Sequence, residues 1–178
     1  VPVWSGNFFL GNFNTKSVLD PLKATEFGRS TSRKPHSLHG YYSYTQGSGM
    51  YNEHTTLITR PDSCAIYAVF YRADADNGSE VILTAYDIGS SPYVVARAEL
   101  PDGSTTAGSG FHEFHLDFKY RDGVIVDFEK HRYKLAVVFA SSSVGAALRG
   151  NPPTIYYAGK VGSVLLVDEV RVINFPKE

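Results

Sequence analysis

The chain has 178 residues, with 17 Lys and Arg against 18 Asp and Glu, a formal net charge of −1, 43% apolar residues and 20% charged ones. That length and balance match one globular domain with a real core. No basic stripe argues for nucleic acid, no acidic tail argues for a basic partner, and no apolar run approaches the roughly 20 residues of a membrane helix. The single cysteine, Cys64, excludes an internal disulfide and any multi-cysteine zinc site. It lies within SCAIYAVFY and reads as a buried, inert thiol.

Twelve Tyr and 11 Phe against one Trp suit strands, where flat rings pack on a pleated surface. The first strand is expected over NFFLGNF (7–13). The span 14–37 then reads as a long loop, with SVLDPLKA forming one short helical turn. Further strands follow at LHGYYSYT (38–45), CAIYAVFYRA (64–73) and EVILTAY (80–86). ADADNGSE between the last two is a hairpin turn, because Asn77-Gly78 readily takes positive φ. Strands at YVVARAE (93–99), FHEFHLDFKY (111–120), YKLAVVFASS (133–142) and SVLLVDEVRVIN (163–174) complete the set. PDGSTTAGSG (101–110) is a flexible loop.

Two face patterns recur. Phe114, Leu116 and Phe118 alternate with Glu113, His115, Asp117 and Lys119, which makes one buried and one wet face. AIYAVFY and KLAVVFA are apolar on both sides, as strands covered twice must be. About eight antiparallel strands of both kinds predict an all-β, two-sheet sandwich, jelly roll or immunoglobulin-like, formed by residues 1–178 as one domain.

Catalytic motifs are sparse. There is no G-x-S-x-G elbow, and the serines of SSSVG (141–145) have no base beside them, so turn hydrogen bonding is the expected role. GKVGS (159–163) lacks the spacing of a phosphate-binding loop. His112 and His115 stand three apart, on opposite faces of a strand, which works against a shared metal. DADN (74–77) lacks the glycine and distal glutamate of a calcium loop. Glu113 and Asp117 share a face but lie roughly 13 Å apart along it, too far for a glycosidase pair without another strand.

Binding a sugar needs less: an aromatic ring for the C–H face and polar groups at its rim. In LHGYYSYT, alternation puts Leu38, Gly40, Tyr42 and Tyr44 on the core face, and His39, Tyr41, Ser43 and Thr45 on the other. Tyr41 is then the ring that meets a ligand, flanked by His39. The same reasoning nominates Tyr86 beside Thr84, and the wet face with His115 and Asp117.

These motifs occur as an ordered set at Phe9 to Phe13, Arg33 to Tyr44, Ser141 to Gly145 and Gly162 to Val170. Together they resemble the PCMD family, whose name stands for putative carbohydrate metabolism domain, found mainly in Bacteroidetes. Lys34-Pro35 stands where the pattern has Arg-Pro, and NPPTIYYAGK (151–160) reads as an insertion. The chain opens at Val1 without Met or a signal segment, and the family's N-terminal part is short or missing. It is therefore expected to be the C-terminal part of a longer exported protein. The resemblance implies a jelly roll similar to carbohydrate-binding modules, on a bacterial cell-surface, extracellular or periplasmic protein. It further implies a polysaccharide or glycan partner, contacts with other domains of the same chain, and no agreed catalytic residues. Its only implied cofactor is a structural calcium held by Asp168, for which a hydrogen bond to the N-terminal strand is the competing role. Non-catalytic glycan binding is the expected function. A glycan-active enzyme and an adhesive surface domain are the alternatives.

Overall fold

A run such as AIYAVFYR has no polar alternate position, so a strand built from it needs cover on both faces. The computed structural model, which describes residues 6–51, 57–58, 61–106, 108, 110–143 and 159–176, provides that cover in three layers. In chain order, β1 (Asn7–Phe9), β2 (Gly11–Phe13), a 3-10 turn at Thr15–Ser17 and helix α1 (Pro21–Ala24) lead into β3 (Thr25–Phe27) and β4 (Arg29–Thr31). Next come the long β5 (Pro35–Thr45), β6 (Ser48–Tyr51), β7 (Leu57–Ile58), β8 (Ala65–Arg72) and β9 (Leu83–Thr84). The rest are β10 (Val94–Glu99), β11 (His112–Asp117), β12 (Lys119–Tyr120), β13 (Tyr133–Ala140), β14 (Gly159–Val161) and β15 (Val164–Asn174).

The middle layer is a sheet in the order β1-β13-β8-β10-β12. Strands β1 and β4 share one edge of β13, the first beside Val138–Ala140 and the second beside Tyr133–Leu135. On one side of this sheet, Ile66, Ala68 and Phe70 meet Leu38, Phe114 and Leu116 from the three-stranded sheet β11-β5-β15. On the other side, Tyr67, Val69 and Tyr71 meet Phe27, Leu83 and Ile88. Phe27 and Leu83 belong to the small sheet β2-β3-β9, to which α1 is tied by the bond from the Ala85 amide to the Leu22 carbonyl (3.0 Å). The fold is an all-β antiparallel sandwich with an added third layer.

The described residues contain fifteen strands where the sequence pattern suggests about eight, and the additions are short. The expected strand over 7–13 is broken at Leu10, because β1 pairs with β13 while β2 crosses to β3. The span 14–37 does hold a helical turn, but it also holds β3 and β4, whose three-residue length gives no readable period. The turn at Asn77-Gly78 forms, with Gly78 at φ +81. It closes a short hairpin, with an antiparallel bridge between Asp74 and Glu80 and the Val81 amide donating to the Ala73 carbonyl at 2.9 Å. The pairing goes no further: the sheet neighbours of β8 are β13 and β10, and 80–86 yields only β9. Asp87 explains the early stop, since its carboxylate accepts the Thr84 amide at 2.7 Å and turns the chain. The expected insertion falls almost wholly outside the described residues, as do Val144 and Gly145 of the serine motif.

Candidate functional site

β5 is the central strand of its sheet, so its outward side chains are flanked on both sides by those of β11 and β15. Directly opposed residues of antiparallel strands share a face. The register therefore sets three rows across the outer surface: Glu113–Tyr41–Asp168, His115–His39–Arg171 and Asp117–Ser37–Ile173. Of the sequence-nominated residues, Tyr41, His39, His115 and Asp117 come together here. Glu113 and Asp168 also meet across Tyr41, two strand spacings or roughly 10 Å apart at the backbone. Alternation within one strand cannot reveal that pair, since it depends on which strands flank β5.

The polar groups of this face are connected. The rings of His39 and His115 lie 3.9 Å apart between centroids. His115 Nε2 is 3.0 Å from the Asp117 carboxylate, and His39 Nε2 is 2.8 Å from the Ser37 hydroxyl. Ser37 also lies 3.3 Å from His36 Nδ1. A serine on a histidine invites comparison with a nucleophile and its base, but Ser37 is only 1% exposed and cannot reach a substrate. The arrangement orients His39.

Two backbone features shape the face. The pairing of β15 with β5 shifts between Asp168 and Arg171, a bulge in which Glu169 takes φ 49. It is the only non-glycine with positive φ among the described residues, and its amide is held by the Asp168 carboxylate at 2.8 Å. Such a bulge re-aims the side chains beside it, and here these are Asp168 and Arg171. Gly40 sits under the same spot: a Cβ there would lie 2.7 Å from the Phe114 ring and 3.1 Å from the Asp168 carbonyl. The glycine lets the core ring press against the strand that carries Tyr41.

Burial holds the His39 imidazole below its ordinary value, and the neighbouring His115 and Arg171 push in the same direction, outweighing the acids Glu113 and Asp117. The folded value is depressed, so this residue's contribution to stability is complete above about pH 6.5 and is lost as acid protonates His39 through its lower folded value. We expect the ring protons of His39 to titrate below about pH 6.5 in an NMR experiment. His115→Ala should move that midpoint upward. A midpoint at or above the ordinary histidine value would contradict the arrangement.

Other nominated groups lie elsewhere. Tyr86 belongs to the third layer, on the far side of the middle sheet, and its hydroxyl donates to Asp20 at 3.0 Å. It shares no site with Tyr41. Asp168 lies in the outer row rather than against the N-terminal strand. Among the described residues there is no group of three His, Cys, Asp or Glu side chains that could hold a metal ion. The serines of 141–143, expected to bond within a turn, tie down distant segments instead: Ser141 Oγ accepts the Gly6 amide, Ser142 donates to Asp62, and Ser143 pairs with Ser63. Cys64 is buried, and that burial pushes its thiol up to about 12, leaving it protonated and unreactive.

Sequence reasoning missed two buried carboxylates. Asp74 accepts the Arg132 amide at 2.6 Å and contacts His131 Nδ1 at 2.9 Å. Asp62 lies beside a groove of about 640 Å³ that includes Glu99, Asp102 and Lys119. Its own oxygens are taken by Ser142, Ser63 and Lys160, while Asp102 is taken by the Ser104 amide and hydroxyl. Asp62 therefore braces distant segments, and Asp102 braces its own turn.

The family model described as "putative carbohydrate metabolism domain", PCMD, matches residues 1–173. The chain belongs to this family. Among solved structures, the PCMD chain is similar to a putative glycoside hydrolase from Bacteroides thetaiotaomicron, at 31% identity and a TM-score of 0.83. The match covers 97% of this chain and 48% of that one. A putative glycoside hydrolase from Bacteroides vulgatus is also similar, at 30% identity and a TM-score of 0.77, with 96% and 65% covered. The PCMD chain thus spans about half the length of the first structure and under two thirds of the second. No curated protein matches it. It is a domain related to carbohydrate metabolism.

Proposed function

We propose that this chain is a non-catalytic glycan-binding module of an exported or surface-exposed bacterial protein, with its contact surface on the outer face of β11-β5-β15. The observation that carries the reading is the row Glu113–Tyr41–Asp168. A tyrosine ring offers a flat apolar surface to the C–H face of a pyranose, and a carboxylate on either side accepts its hydroxyls. His39, His115 and Arg171 extend the polar rim by one row. Ser37 and the bulge at Glu169 hold that rim in place, so little ordering remains to be done on binding.

The roughly 10 Å between Glu113 and Asp168 also favours a second reading, glycoside hydrolysis with inversion, for which carboxyl groups stand about 6.5–9.5 Å apart. The two similar structures carry glycoside hydrolase names. Against it stands the openness of a sheet face. Acid–base catalysis on an acetal needs walls that exclude water and hold the leaving group, whereas Glu113 and Asp168 are both exposed.

A panel of neutral and acidic polysaccharides, scored both for retention of the protein and for release of reducing ends, separates the readings. We expect retention without release, and Tyr41→Ala should weaken it roughly fivefold, the value of one ring contact of about 1 kcal/mol. Release of reducing ends that Glu113→Gln abolishes would replace binding with catalysis. Failure to bind any polysaccharide would overturn both.

A further inference from the structure

A separate concavity lies at the corner where the start of β5 meets the β12–β13 connection and the segment after β15. Arg33, Lys34, Val126, Phe128 and Phe175 line a groove of about 680 Å³, within the usual size of small-ligand sites. Its floor is built: the Phe175 amide donates to the Lys34 carbonyl at 2.9 Å, and the Tyr120 hydroxyl donates to the Pro35 carbonyl at 2.6 Å. The Lys34 ammonium lies 5.0 Å from the centre of the Tyr120 ring and 5.1 Å from that of Phe175. Aromatic faces hold this cation without neutralising it.

No ion pair among the described residues uses Arg33 or Lys34. The nearby acid Asp127 is occupied by the Lys130 ammonium at 3.1 Å and by the Glu129 and Lys130 amides. Phe128 and Phe175 keep 39% and 37% of their surface exposed. Two uncompensated cations beside two accessible rings, on a chain of net charge −1, form a local positive spot with an apolar wall.

We infer that this groove is a second subsite that takes a uronic-acid unit of an acidic glycan, its carboxylate on Arg33 and Lys34 and its C–H face on Phe175. The planar guanidinium fork matches the two oxygens of a carboxylate, and the ammonium adds a second charge. The inference rests on the glycan-binding reading but uses a different place from Tyr41.

Trigalacturonic acid, the neutral trimer of galactose and a sulfated oligosaccharide serve as probes for amide chemical shifts in the full chain. Trigalacturonate is expected to shift Lys34, Phe128 and Phe175, to bind better than the neutral trimer, and to weaken with added salt. Arg33→Gln, a change at an exposed side chain, should cost at least roughly tenfold in affinity, the value of a charge-assisted hydrogen bond. Phe175→Ala should also lower it. Shifts confined to Tyr41 and its neighbours would overturn the subsite while leaving the outer-face reading intact. Absent binding, equal affinity for the neutral trimer, tighter binding of the sulfated probe, or full affinity in Arg33→Gln would each overturn the carboxylate assignment.

Discussion

Truncation of Phe70 to alanine is expected to cost about 3–5 kcal/mol, enough to leave a domain of this size close to unfolding. The ring is fully buried in the middle of β8 and points into the core beneath β5 and β11. It stacks on Tyr133 with centroids 5.1 Å apart and planes at 16°, and meets Tyr120 at 6.3 Å and Phe128 at 6.4 Å. Rigid sheets above and below cannot collapse into the space, so the cavity cost adds to the lost transfer energy. Urea denaturation measures the change directly. A loss below about 1 kcal/mol would show that the layers close over the gap, against the packing described.

Asp62→Ala should lower stability by about 3 kcal/mol, although nothing in its local sequence announces the residue as structural. The side chain is 4% exposed. Its carboxylate accepts the Ser142 hydroxyl at 2.8 Å, the Ser63 amide at 2.9 Å and the Lys160 amide at 3.3 Å. It thereby joins the entry of β8 to the exit of β13 and to β14. Alanine would strand one buried and two partly buried donors, each at a desolvation cost of up to about 1–3 kcal/mol, less what water recovers by entering. Asp62→Asn keeps an acceptor oxygen and should lose less. Equal losses in the two variants would mean that charge, rather than the number of acceptors, carries the effect.

The division between Tyr41 and its neighbours was readable because a strand has a period of two. Tyr44 is fully buried, Tyr42 packs against the core beneath β5, and Tyr41 lies in the outer row. Apolar residues on both faces marked AIYAVFY and KLAVVFA as strands covered twice, and β8 and β13 are both interior strands of the middle sheet. The ordered motifs carried the family, since order along a chain survives without coordinates. Short elements were not readable: β3, β4 and β9 have two or three residues each, too few for any period to emerge. Tyr86 was nominated from alternation beside Thr84, which cannot say on which layer an outward ring stands.

The amino-acid sequence by itself determined that this protein is an all-β sandwich, which side chains of each long strand face the core, and which family it belongs to. All of these follow from local alternation and from order along the chain. Only the tertiary structure decided that Glu113 and Asp168 flank Tyr41, that His39 rests on His115, and that Arg33 and Lys34 share a groove with Phe175. Each of those juxtapositions joins segments up to about 140 residues apart. They are set by strand pairing, a bulge and the closure of a corner, none of which leaves a periodic trace in the chain.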